Sequence, residues 1–160
     1  MTELQITADP GVPQVLTTRT FDAPRDLVFR AFTEPDLLVQ WLGPRNYTMT
    51  IERYEPRDGG QYRYVHADDA GNAFTFHGVF HGDPSPDAMV QTFEFEGAPG
   101  NVSMDTMTLE EHDGKTTARS NSVFQSVEAR DAMVQSGMAE GMSQGYDRLD
   151  ELLAKLVANS

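Results

Sequence analysis

The chain has 160 residues, no cysteine, and 12 basic against 25 acidic residues, for a formal net charge of −13. That length suits one domain with a substantial core. The charge argues against nucleic acid or an anionic membrane as partner, and the missing cysteines exclude disulfides, thiolate zinc sites and cysteine nucleophiles.

Residues 1–13 are polar and hold Pro10, Gly11 and Pro13, so a loose tail is expected ahead of a single domain over 14–160. The first residues have neither the basic start nor the apolar core of a signal peptide. No apolar run approaches the roughly 18 residues of a membrane span. A cytoplasmic protein is the expectation.

Residues 15–22 (VLTTRTFD) read as a strand rich in β-branched side chains. Two short helices follow. The first covers 23–32, with Pro24 near its start. The second covers 35–42, with Thr33 as the expected N-cap and Gly43-Pro44 as its stop. From Asn46 to about Gln125 the signals are strand and turn. Strands are expected near 46–55, 60–67, 73–82, 88–96, 102–111 and 115–125, joined by RDGG, DDAGN, DPSPD, GAPGN and HDGK. Such short connections favour an antiparallel meander.

Residues 127–157 read as one long amphipathic helix. Val134, Met138, Gly141, Met142, Gly145, Leu149, Leu152, Leu153 and Leu156 share its apolar stripe. The stripe is bulky towards the C-terminus and nearly flat before it, where Gly137, Gly141 and Gly145 fall four residues apart. Each glycine inside a helix costs about 1 kcal/mol relative to alanine.

A turn near Asp69–Gly71 places Tyr64 opposite Phe76 and Tyr62 opposite Gly78. Alternation then gathers Tyr62, Tyr64, His66, Phe74, Phe76 and Phe80 on one face, joined by Phe93 and Phe95. Arg63, Thr75, His77, His81 and Glu94 fall on the other, which suits water. A sheet with one aromatic face needs one cover, and the last helix is the element able to provide it. The expected architecture is α+β: a curved antiparallel sheet of about seven strands gripping a long C-terminal helix, with two short helices closing one end. Two readings of the glycines stand side by side. Either they let helix and sheet backbones approach closely, or a bare helix facing bulky rings leaves an apolar chamber.

In the second reading Tyr62, Tyr64, Phe76, Phe80 and Phe93 line the sheet side, Met138 and Met142 the helix side, and Trp41 plugs the core or borders the opening. The two tyrosines could orient a polar ligand atom, and His66 near the rim could act as a base if a ligand reached it. The occupant would be a small lipophilic or aromatic molecule, bound without catalysis. No metal and no cofactor are expected. His77 and His81 stand about 13 Å apart along a strand, too far to share an ion, and His112 lies in a turn. GxSxG, P-loop and GxGxxG motifs are missing. Asp105 can face either way in VSMDTMTL. Because an inward carboxyl needs a partner or a raised pKa, the register turning Val102, Met104 and Thr106 inward is preferred.

FDAPRDLVFRAFTEPDLLVQWLGP resembles the opening signature of the homologues of the activator of the 90-kDa heat-shock protein's ATPase. That family lies within the START-like, birch-pollen-allergen-like (SRPBCC) superfamily. RDGGQYRY, GVF and GMAEGMSQGYDRLDELL are similar to its later motifs, so the likeness spans about 15–157. Trp41-Leu42 stands where the family usually has two tryptophans, and Phe80 where it has a tyrosine. The resemblance implies the helix-grip fold, strand-helix-helix-six strands-helix, with an interior cavity between sheet and helix. It also implies two alternatives to a simple binder: a module stimulating a chaperone's ATPase, and a polyketide cyclase or aromatase-like enzyme in which His66 or Tyr64 moves protons.

Overall fold

A computed structural model describes residues 3–159. The elements are β1 (Gln5–Thr7), β2 (Gln14–Phe21), α1 (Arg25–Thr33), α2 (Pro35–Leu38), β3 (Thr48–Tyr54), β4 (Gln61–Ala67), β5 (Ala73–Ser85), β6 (Ala88–Phe95), β7 (Val102–His112), β8 (Lys115–Val123), α3 (Val127–Gln135) and α4 (Met138–Ala158). The strands form one open antiparallel sheet in the order β1-β2-β8-β7-β6-β5-β4-β3. This is the helix-grip arrangement. It has eight strands where about seven were expected, because Gln5–Thr7 pairs with Leu16–Thr18 along the edge. Part of the expected tail is therefore sheet, while Met1, Thr2 and Ser160 lie outside the described residues.

Turn chemistry fixes the registers. Asp113 (φ 54) and Gly114 (φ 78) both adopt positive φ, as a two-residue hairpin loop of the mirror-image type requires. That loop sets His112 against Lys115, and counting back along the ladder sets Leu109 against Ala118 and Asp105 against Ser122. In the β4–β5 hairpin Tyr64 faces Phe76 and Tyr62 faces Gly78, as alternation requires. α2 starts differently from expectation. Glu34 is its N-cap residue, and the Thr33 hydroxyl donates back to the Phe29 carbonyl at 2.8 Å.

Near α1 and α2 the interior is sealed. Phe21, Val28, Ala31, Trp41, Leu109, Leu149 and Leu153 are each no more than 2% exposed. Burying a large apolar side chain of this kind contributes roughly 1.5–3 kcal/mol. Trp41 donates its indole N–H to the Ala31 carbonyl at 2.9 Å, and its ring meets Phe32 edge-on at 4.9 Å. Tyr146 completes the group, edge-on to Phe21 at 5.4 Å.

The expected single C-terminal helix is two helices. Ser126 caps α3, its hydroxyl accepting from the Ala129 amide at 3.0 Å. The path breaks at Gly137, whose φ of 91° lies outside the helical region. α4 begins there.

Gly141 and Gly145 do not face the sheet. They face the loop after α2: a β-carbon on Gly145 would sit 3.4 Å from the Gly43 nitrogen and the Trp41 oxygen, and one on Gly141 3.6 Å from Pro44 Cγ. The same side of α4 is tied to that loop by hydrogen bonds. Arg148 donates to the carbonyls of Gln40 (3.0 Å), Gly43 (3.0 Å) and Pro44 (3.2 Å), while the Gln144 side chain accepts from the Arg45 amide at 3.1 Å. On the sheet side, buried Arg19 of β2 donates to Asp147 at 3.1 Å and to Asp150 at 2.5 Å. The bare helix face is thus the seat of a backbone loop, and the helix is held to the rest of the molecule by arginines.

Candidate functional site

Away from the sealed end, the inner face of β4–β6 carries a run of rings. Tyr62 stacks on Tyr64 (centroids 5.8 Å apart), Tyr64 leans on Phe76 (5.6 Å), and Phe76 stacks on Phe93 (5.1 Å) and touches Phe95 (5.3 Å). Tyr62 lies across Gly78, where an added β-carbon would come within 2.6 Å of its ring; the glycine makes room for the aromatic. Its hydroxyl donates to the Thr92 carbonyl at 2.5 Å. Tyr62 and Phe80 are nearly buried, so they form floor, and the Tyr62 hydroxyl is already engaged. Tyr64, Phe76 and Phe93 are half-buried, as are Met138 and Met142 on α4. Trp41 is 1% exposed and belongs to the core.

His66 sits at one end of the ring run, edge-on to Tyr64 at 5.1 Å and to Phe76 at 5.5 Å. Its imidazole presses on Gly43, whose φ of +107° and missing β-carbon both matter; the latter would lie 2.5 Å from His66 Cε1. The ring is 8% exposed, and its buried Nδ1 has no hydrogen-bond partner. Burial, with the charge of Arg148 as a second cause, lowers its pKa from 6.5 to about 4. At neutral pH it is an uncharged imidazole able to donate through one nitrogen and accept through the other.

Asp105 corrects the expectation for β7. Met104 points outward at 47% exposure, whereas Ser103, Asp105, Met107 and Leu109 face the interior. The Ser103 hydroxyl donates to Asp105 Oδ1 at 3.2 Å, and the Ser122 hydroxyl also bonds to the carboxyl. Burial still raises the Asp105 pKa, the two hydroxyls pulling against it. The Asp105 charge in turn adds to the upward shift that burial gives the phenols of Tyr62, Tyr64 and Tyr146. Burial is the largest cause for each, and no side-chain hydrogen bond offsets it at Tyr64 or Tyr146. Tyr146, Ser103 and Ser122 were not among the expected site residues.

The remaining histidines are on the outside. His77 lies between Glu94 (3.3 Å) and Glu96 (2.9 Å), His81 is exposed, and His112 stands beside Asp113. Arg63 and His77 hold the Glu96 carboxyl down at about 2. Among the described residues no three His, Asp or Glu side chains converge on one point, and no helix is long and apolar enough to cross a membrane. Two open, largely polar depressions mark the outer surface. One is lined by residues 45–48 and 68–70, the other by Arg25, Asp87 and residues 108–111.

A helix-grip domain whose inner face is part sealed core and part aromatic patch with an inward-facing carboxyl defines the class of protein. The chain belongs to the family of Activator of Hsp90 ATPase homolog 1-like proteins, whose pattern matches residues 22–154. Among solved structures it is similar to a protein from Rhodobacter sphaeroides at 30% identity and TM-score 0.87, covering 96% of this chain and 99% of that one. A protein from Arthrobacter aurescens is 26% identical at TM-score 0.87, with 96% and 93% covered. Protein Ms6760 from Mycobacterium smegmatis shares the fold at 24% identity and TM-score 0.84, with 93% and 95% covered. No match was found among curated proteins.

Proposed function

We propose that the domain binds a small lipophilic or aromatic molecule between the inner face of β4–β7 and α4, without catalysis. The observation that carries this reading is a contrast on one surface. Phe21, Leu109 and Leu149 at one end are fully buried, while Tyr64, Phe76 and Phe93 on the inner sheet face, and Met138 and Met142 on α4, keep accessible surface. Large rings left half-covered inside a domain are what a ligand would finish burying, at about 25 cal/mol per Å² before association costs. Soft methionines opposite flat rings suit an adaptable lining. The hydroxyl of Tyr64 and the neutral imidazole of His66 supply the few polar groups that orient an occupant.

Native mass spectrometry of freshly purified protein is expected to show an added small-molecule mass that organic solvent removes. A Met138→Trp variant, with bulk added to the helix side, should keep the wild-type melting temperature yet take up that molecule at least about tenfold more weakly. Unchanged uptake in a folded variant sinks the assignment.

The family's description supports a second reading, a module that stimulates a chaperone's ATPase. Pull-down with the chaperone followed by an ATPase assay tests it, and an unchanged hydrolysis rate at saturating protein removes it.

A further inference from the structure

The interior carboxyl of Asp105 has no place in a purely apolar binding site. It lies on the inner face between Gln91 and Ser122 in the ladder, with Ser103 two residues back along its own strand. Phe93 pairs with Ser103, which makes Phe93 the diagonal neighbour of Asp105, at roughly 7–8 Å between such positions. From Phe93 the rings continue to Phe76 and Tyr64.

No cation answers this carboxyl among the described residues. Arg19, on the same face, pairs through one terminal nitrogen with Asp147 and Asp150 and leaves its buried Nε without a partner. Arg148 is taken by three loop carbonyls, and Arg130 by the carbonyls of Asp9 and Gln14 and by Asp131. What Asp105 has is two serine hydroxyls, which leave acceptor capacity on the carboxylate. An interior carboxylate without a counter-ion is costly. Beside it stands Phe93, stacked on Phe76, and an aromatic ring attracts positive charge over its face.

We infer that the molecule held here is a lipophilic amine, its ammonium seated on the Asp105 carboxylate and its apolar body lying along Phe93, Phe76 and Tyr64. The inference rests on the binding reading above and narrows it to a ligand class. The ammonium supplies the missing counter-ion, and its N–H groups fill the acceptor positions the serines leave. The chain's net charge of −13 draws cations towards the domain before any contact forms.

Calorimetric titration of the wild-type chain with phenethylamine and with phenethyl alcohol tests the idea, since the two probes differ only at the polar end. The amine is expected to bind at least about tenfold tighter. Asp105→Asn should abolish that preference. Equal binding of both probes by the wild-type chain, or an amine preference that survives in a folded Asp105→Asn protein, overturns the inference and leaves the binding reading standing. Failure of both probes to bind overturns the two together. The wild-type comparison needs no variant, so it decides even if Asp105→Asn does not fold.

Discussion

His66 and Asp105 are two titratable groups on one inner face, and they pull stability in opposite directions with pH. His66 has a folded pKa of about 4, below its ordinary 6.5, so the unfolded chain takes up its proton first. Its contribution is complete above pH 6.5 and is lost as pH falls towards 4, by up to about 3 kcal/mol. Asp105 is shifted upward, so its protonation favours the folded state over part of the same acid range. Comparing wild type with His66→Gln isolates the histidine: chemical denaturation from pH 7 to pH 4 should show a steeper loss of unfolding free energy in wild type. Parallel curves would mean the imidazole is not held neutral. Alternation along QYRYVHA was enough to read His66 onto the ring face, because the Asp68–Asn72 turn pins that hairpin. Asp105 was misread for a sound reason, that a carboxyl prefers water to a protein interior. What overrides the preference is Leu109, fully buried four residues on, which fixes the parity of the strand.

Among the elements, α4 shows best where sequence periodicity stops being informative. The apolar stripe and the small residues within it were readable, but what lay against them was not, since a helix face does not name its partner. The partner of Gly141 and Gly145 is the Trp41–Pro44 loop, and the two glycines are not equally demanding. At Gly141 an added β-carbon meets only Pro44, at an ordinary 3.6 Å, so Gly141→Ala should gain helix propensity and stabilise by about 1 kcal/mol. At Gly145 two backbone atoms of the loop stand at 3.4 Å, so a large side chain must push α4 away from Arg148's three carbonyls. Gly145→Leu should lower stability by roughly 1–3 kcal/mol. Thermal melts of the two variants should therefore move in opposite directions; a shared direction would mean the helix does not rest on this loop.

For the whole molecule, the β3–β8 meander, its antiparallel pairing and the two helices between β2 and β3 were legible because that stretch is a series of short hairpins with strong turn residues; the pairing of β2 with β8 joins no hairpin and was not. The eighth strand was not. β1 has only three residues, too few for alternation to show, and it exists because β2 offers an unpaired edge. The division of the inner face into sealed and half-covered ends was likewise beyond the sequence, since both ends are built from similar residues. It depends on where α4 rests.

The left-handed turn at Gly137 carries a consequence for how anything could enter. A single rigid rod would have to lift off all at once, breaking the arginine ties to β2 and to the Trp41–Pro44 loop. Two rods meeting at one swivel allow the nearer one to tilt while the farther stays clamped. α3 is moored to the sheet side by the Arg130 guanidinium on the Asp9 and Gln14 carbonyls, a tie that must release before α3 can tilt. Hydrogen exchange should find amides 134–140 opening faster than 146–153, and Arg130→Ala should quicken the first set while sparing the second.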